Sequence, residues 1–268
     1  PIVALIYDFD GTLSPGNMQE FGFIQAIGKD AKEFWQESDN IALGQDASNI
    51  LSYMKLMFDE AKKAGIKLRR EDFKRFGASV ELFNGVKEWF KMINDYGKSK
   101  GVKIEHYINS SGLAEMIEGT EIASEFKRIF ACSFIYNKEG EAEWPGVAVD
   151  YTAKTQFLFK INKGILSIRD NKKVNESKEE DNKRIPFSHM IYFGDGETGL
   201  TGQLNPPCLF ELFACGVVEY LLVGGVIGGQ STHVAGTLNI VLAAQGVNAG
   251  ALMAQIAGYH GKVRAAGH

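Results

Sequence analysis

Asp8 and Asp10 are the residues of this chain best suited to chemistry. They interrupt the end of an apolar run, Ile6-Tyr7-Asp8-Phe9-Asp10-Gly11-Thr12-Leu13, where two acids stand two residues apart before a Gly-Thr. Carboxylates in that setting can attack an electrophile or move a proton, and a pair can divide the two tasks. An apolar run closed by a turn signal reads as a buried strand, and in an open α/β sheet chemistry collects just outside the carboxyl ends of such strands. Alternation puts both acids on one side of an extended chain, while Gly11 lets the backbone turn away and separates their roles. Asp and Gly are also ordinary turn residues, so an isolated Asp-Gly would read as a surface turn.

The whole string is rarer than its parts, and Asp8 to Thr12 resembles the first motif of the haloacid dehalogenase-like (HAD) phosphohydrolases, an apolar strand followed by Asp-x-Asp-Gly-Thr. The resemblance implies that Asp8 is the nucleophile, becoming an aspartyl-phosphate, and that Asp10 is the general acid and base. A carboxylate is a weak nucleophile and a phosphate dianion repels it, so a cation must screen the approach and a neighbour must protonate the leaving oxygen.

Three further motifs follow in order. Val102 to Ile108 reads as a second strand running into Asn109-Ser110-Ser111-Gly112, a strand-to-helix turn whose hydroxyls and N–H groups suit phosphoryl oxygens. Ser111 can equally cap a helix over Leu113 to Glu118, with Glu115 favourably near its dipole. By resemblance Ser110 is the second motif's hydroxyl, and Asn109 departs from the apolar residue usual there. Tyr151-Thr152-Ala153-Lys154-Thr155 opens an apolar-periodic helix through Phe157, Leu158, Ile161 and Ile165. Lys154 in its first turn opposes the helix dipole, which invites a functional explanation; the resemblance implies the third-motif lysine that neutralises nucleophile and phosphate. Met190 to Thr198 is a further strand ending in Gly194-Asp195-Gly196. By resemblance, Asp8, the backbone carbonyl of Asp10, and Asp195 hold Mg2+, a cation that prefers oxygen ligands in octahedral geometry at about 2.0–2.1 Å.

The fourth motif is broken. The family's Gly-Asp-x-x-x-Asp would place a second acid at 199, where this chain has Gly199. The change creates a formal Gly-x-Gly-x-x-Gly from Gly194 to Gly199, but Asp195 and Glu197 would face a pyrophosphate there and Pro206-Pro207 would stop the required helix early. The loss of an acid that orients metal-bound water is expected to weaken activity about 10–100-fold without abolishing it.

These motifs need a frame. The expected fold is a three-layer, Rossmann-like α/β HAD core with a mainly parallel sheet, the Asp8 strand central, and an α-helical cap inserted after the first motif. Core residues are 1–15 and 85–198, the cap is 16–84, and 199–268 forms an atypical Gly- and Ala-rich C-terminal segment. Within the insertion, helical spacing marks Asp46 to Ala64 and a shorter stretch from Glu71 to Val80, while Gly85 to Lys100 leads back to the core. Phe21, Phe23, Phe34 and Trp35 can line the cap, although packing is the commoner fate of an aromatic. Arg128 to Ile135 reads as the third core strand, Glu141 to Val149 as an extended excursion, and Asp170 to Arg184 as a charged surface loop.

Composition excludes other classes. The 268 residues carry a formal charge of -4, which favours neither nucleic acid nor an anionic membrane. Cys132, Cys208 and Cys215 form no Cys-x-x-Cys, and the five histidines show no zinc spacing, so a cytoplasmic, reducing compartment is expected. Tyr220 to Gly261 contains no Asp, Glu, Lys or Arg. Glu211 and Glu219 interrupt the apolar stretch before it, and Asn239, Gln245, Asn248 and Gln255 punctuate the second, so a clean span of about 20 residues is missing; the Gly224 to Gly229 run lacks the Lys-Ser or Lys-Thr of a phosphate loop. The resemblance ends at Thr198, as a fusion, a shifted reading frame or a rearranged end would each produce.

The function expected is an Mg2+-dependent phosphatase acting on a small phosphomonoester, with Asp8, Asp10, Ser110 and Lys154 catalytic. A phosphomutase or phosphonate-cleaving relative would share most of this apparatus, and Gly199 is equally compatible with a phospholigand-binding protein that has lost turnover.

Overall fold

A computed structural model describes residues 1–175, 183–194 and 240–244. Its strands are β1 (Ile2–Tyr7), β2 (Lys103–Leu113), β3 (Phe126–Tyr136), β4 (Ala142–Val147), β5 (His189–Phe193) and β6 (Ile240–Ala244). They form one sheet in the order β4-β3-β2-β1-β5-β6. β1 is central and pairs in parallel with β2 and β5, so the ends of three strands meet where Asp8 emerges. β2 and β3 are also parallel, whereas β4 and β6 run antiparallel at the two edges.

Helices α1 (Phe23–Ala26), α2 (Ala31–Gln45), α3 (Asn49–Lys63), α4 (Arg70–Gly77) and α5 (Val86–Ser99) fill the long connection from β1 to β2. One-turn α6 (Ala114–Ile117) follows β2, α7 (Ala153–Lys163) follows the hairpin, and short α8 (Lys172–Asn175) lies in the charged loop. The expected helices at 46–64, 71–80 and 85–100 thus correspond to α3, α4 and α5. The sequence reading gave no helix over α2, because the face it buries is Phe34, Ser38 and Ala42, one aromatic among two small residues. Its start is nevertheless locally encoded, since the Asp30 carboxylate accepts from the Glu33 N–H at 3.0 Å.

Alternation along β1 and β2 sorts side chains onto two faces. Tyr7 lies beside Ile108 in the register. On that face α5 covers the sheet, its Trp89 indole donating to the Tyr7 hydroxyl at 2.8 Å and Phe90 packing edge-on against His106. Asn109 and Phe130, paired one residue further on, look the other way, and there Phe130 stacks on Phe157 of α7 with ring centroids 4.8 Å apart. Helix, sheet and helix are the three layers expected of the core.

Two contacts that fasten the other helices of the connection to the core stand out. α4 meets α6 backbone to backbone: a Cβ on Gly77 would lie 1.9 Å from the Met116 carbonyl oxygen, and one on Gly119 would lie 2.0 Å from that of Lys74. The β3–β4 hairpin provides the second attachment. Phe134 packs against Phe58 of α3 and Phe73 of α4, and the Ala142 N–H donates to the Leu68 carbonyl at 2.7 Å.

The α5 side of the core contains a polar chain in an otherwise apolar layer. Trp89 donates to Tyr7, the Tyr7 hydroxyl meets His106 Nδ1 at 3.0 Å, and His106 Nε2 meets Asn94 Oδ1 at 3.0 Å. Asn94 Oδ1 can only accept, so Nε2 carries a proton, and the Tyr7 hydroxyl, which accepts from Trp89, can donate its own to Nδ1. Burial pushes the His106 pKa down to about 4. Folded His106 therefore binds its proton less readily than an unfolded histidine near 6.5, so this contribution to stability is complete above that value and is lost as pH falls towards 4. Between pH 7 and 5 it removes about 2 kcal/mol. Urea titrations at both pH values should show this loss in the wild type and a much smaller one in His106→Leu.

Candidate active site

Asp8 is the first residue beyond β1, and its N–H donates to the Phe193 carbonyl of β5 at 2.9 Å, which extends the strand pairing by one residue. Its side chain is buried, as is that of Lys154, with side-chain exposures of 3% and 0%. Lys154 Nζ bonds Asp8 Oδ2, and Asp8 Oδ1 accepts from the Phe9 N–H at 2.8 Å. Lys154 reaches Asp8 because it lies in the first turn of α7, on the face of the sheet to which Asp8 points. That turn is held by Asp150, whose carboxylate accepts from the Ala153 N–H at 2.7 Å and from the Thr152 hydroxyl at 2.8 Å. An acidic cap partly offsets the unfavourable meeting of a lysine with the positive end of the helix dipole.

After Asp8 the chain turns. Gly11 takes the left-handed φ of 73° that glycine tolerates best, and the Phe9 carbonyl accepts from the N–H groups of Thr12, Leu13 and Ser14 at 3.2, 2.8 and 3.1 Å. Asp10 is thereby directed towards the helical insertion, where its Oδ1 accepts from the Met18 N–H at 2.9 Å. Its surface is only partly covered, yet protein surrounds the carboxyl closely. Burial first, and then the Asp8 charge, drive its pKa well above the usual carboxylate range; the Met18 bond and Lys154 pull the other way. The two acids, alike in sequence, occupy different electrostatic environments.

Ser110 is buried at the same end of the sheet, its Oγ accepting from the Gly112 N–H at 3.0 Å. Gly112 sits against Asp10: a Cβ there would lie 2.9 Å from Asp10 Oδ2 and 2.1 Å from Met18 Cε. Asp8, Asp10, Ser110 and Lys154 are therefore gathered at one end of the sheet. Asp195, the remaining expected ligand, lies outside the described residues, as do Glu197, Gly199 and Tyr220–Gly261 apart from β6. Among the described residues no group of three His, Cys, Asp or Glu side chains converges as a metal site.

Two expectations need correction. β2 does not end at Ile108 but stays extended through Leu113, with irregular pairing to β3 between Asn109 and Leu113. Ser111 consequently lies inside the strand, and α6 is one turn long, preceded by Leu113 with no side-chain cap. Ser111 contributes its carbonyl instead, which accepts from the Tyr53 hydroxyl of α3 at 2.8 Å and from the Cys132 thiol at 3.2 Å. Phe23 and Phe34 are packed core residues, and Trp35 donates its indole N–H to Glu20 at 2.7 Å.

The sequence reading missed Met18, Tyr53 and Gly112 as supports of this site. None carries a pattern that announces a distant partner. Asn109 did carry a signal: a polar residue in a buried strand requires a hydrogen-bond partner. It has one, since Asn109 Nδ2 donates to the Lys154 carbonyl at 2.9 Å.

No protein-family model matches the chain. An uncharacterized protein of Borreliella burgdorferi (strain ATCC 35210 / DSM 4680 / CIP 102532 / B31) is 31% identical over 219 residues, 73% of this chain and 75% of that protein. The two belong to one family. Among solved structures, a phosphoserine phosphohydrolase-like protein from Francisella tularensis subsp. tularensis SCHU S4 is 21% identical, with a TM-score of 0.43 over 78% of this chain and 82% of that one. A phosphoserine phosphatase in apo form is 16% identical, with a TM-score of 0.48 over 75% and 82% of the two chains. In this chain a central parallel strand ends in Asp8, and the Ser110 and Lys154 segments converge beside it. Among the described residues no helix is long and apolar enough to cross a membrane.

The contact between Gly112 and the first-motif segment yields a prediction. Gly112→Ala should lower stability by about 1–3 kcal/mol through overpacking. In a Met18→Ala background the penalty should shrink, because Met18 Cε is the nearest obstacle; urea denaturation of the four proteins measures the difference.

Proposed function

We propose that this chain is an Mg2+-dependent phosphatase that hydrolyses a small phosphomonoester through an aspartyl-phosphate on Asp8. The observation that carries the reading is the buried Asp8–Lys154 pair beside a carboxyl, that of Asp10, driven towards its protonated form. A nucleophile held by a cation and a second carboxyl nearby whose surroundings favour its protonated form are the two partners such a hydrolysis needs.

In the first half-reaction an Asp8 carboxylate oxygen bonds to phosphorus as the bond to the leaving alcohol breaks, and Asp10 gives that alcohol its proton. Asp10, now ionised, takes a proton from water in the second half. The water oxygen bonds to phosphorus, the acyl-phosphate bond breaks, and Asp8 is regenerated with release of inorganic phosphate. Lys154 and Ser110 hold the phosphoryl oxygens through both halves. The buried hydroxyls of Thr12 and Ser111 have no hydrogen-bond partner among the described residues, so the polar capacity of this end of the sheet exceeds what its own contacts use.

The donor set fits magnesium as far as it is described. Asp8 and Asp10 offer oxygen only, and while burial is the main cause that raises Asp10, the Asp8 charge that adds to it is what a cation relieves. Asp8, the Asp10 carbonyl and Asp195 would hold the ion, which when bound supplies charge neutralisation for the approach of carboxylate to phosphate. Closure by the helical insertion would exclude water from the reacting centre.

Release of phosphate from p-nitrophenyl phosphate, with and without Mg2+, tests the reading. Wild-type turnover should require the metal, and Asp8→Asn should lose it while retaining the wild-type circular dichroism spectrum. Equal turnover in the two proteins would exclude the covalent route; a folded wild type that binds phosphate without turnover would make the chain a binding protein.

A further inference from the structure

Asn109 occupies a place where stability gains little from an asparagine. It is fully buried in β2, its Oδ1 has no hydrogen-bond partner among the described residues, and its Nδ2 spends its contact on the Lys154 carbonyl. As a residue inside α7, Lys154 already has a helical acceptor role for that carbonyl, filled by the N–H four residues on. The Asn109 bond is additional to the one the helix requires. A buried amide with one half unsatisfied loses solvation without full return.

The bond is well placed, however, to control geometry. The β1–β2 register has Tyr7 beside Ile108, so the next step brings Asn109 beside Asp8, both facing α7. Asn109 grips Lys154 at its main chain, and Lys154 grips Asp8 with its side chain, which closes a triangle across two strand ends and one helix start. The next firm attachment of α7 to the sheet on this line is Phe157 on Phe130, and Phe130 is Asn109's own partner in the register with β3. Helix ends fray, and a lysine has a flexible four-carbon stem. Fixing the Lys154 backbone therefore sets where its ammonium can reach.

We propose that Asn109 is a positioning residue that acts through Lys154, holding the first turn of α7 at the height from which the ammonium serves both Asp8 and a phosphoryl group. This rests on the phosphatase reading of the same site.

The test compares wild type, Asn109→Leu, Lys154→Met and the double variant in the full chain with Mg2+, reading kcat and KM on p-nitrophenyl phosphate, inorganic phosphate binding by calorimetry, and the urea midpoint. Asn109→Leu should lower kcat about 10-fold or more, in the range of lost supporting contacts, with the urea midpoint unchanged or raised. Added to Lys154→Met, it should change neither kcat nor phosphate affinity further, because residues acting as one unit are not additive. Wild-type kcat in Asn109→Leu, or a loss that adds in full to that of Lys154→Met, would overturn the proposal. A fall in kcat matched by an equal fall in folded fraction would do the same. Should leucine disturb the packing, Asn109→Ala carries the same comparison. The phosphatase reading fails separately, if Asp8→Asn keeps wild-type turnover. Phosphate affinity then decides for Asn109 alone: weakened by Asn109→Leu only when Lys154 is present supports the proposal, and unchanged affinity overturns it.

Discussion

A buried ion pair governs the design of this protein. Taking a carboxylate and an ammonium out of water costs several kcal/mol for each, and attraction between them recovers that cost only with good geometry and further hydrogen bonds. Asp8 and Lys154 are separated by 146 residues in sequence, so the whole fold must bring them together. β5 fixes the Asp8 main chain, the Phe9 N–H takes one of its oxygens, Asp150 caps the turn that carries Lys154, and a stacked pair of phenylalanines seats that helix on the sheet. A well-packed apolar pair in the same place would often be no less stable. Retention of charge at the centre of the structure is therefore better understood through chemistry than through stability.

The environment of Asp10 completes the contrast. It leaves the strand after Asp8, turns at Gly11 and takes its hydrogen bond from the helical insertion, while Asp8 takes its contacts from the sheet and α7. Two side chains of the same type thus acquire different surroundings, and acid–base assignments grow from such differences. The peptide between them is short enough that this divergence depends on the turn closed by the Phe9 carbonyl.

Much of this was legible in the sequence, for identifiable reasons. The Asp8 strand is apolar on both faces and ends in acids, a pattern with few alternative explanations. Lys154 was conspicuous because a lysine at a helix start conflicts with the dipole. α3 and α5 present regular apolar spacing and were recognised; α2 buries a serine and an alanine and was not. The segment after Ile108 misled because hydroxyl-rich, Gly-containing sequence usually turns, whereas here pairing with β3 resumes at Leu113 and Cys132 and keeps it extended. Contacts made by Gly112, Met18 and Tyr53 span tens of residues and depend on where helices land. No local pattern encodes them.

The meeting of α4 with α6 has a mechanical meaning. Most packed interfaces yield by small rotations of side chains, so one element can slip past another without disturbing what lies beyond. Gly77 and Gly119 leave no side chains there to rotate, and each faces a carbonyl of the opposing segment. Displacement of α4 at that point is transmitted to α6 with little slack, and from α6 to the end of β2 where Ser110 resides. On this side the insertion and the Ser110 end of the sheet are geared together as meshed teeth are, and any opening motion must find its freedom elsewhere around the rim.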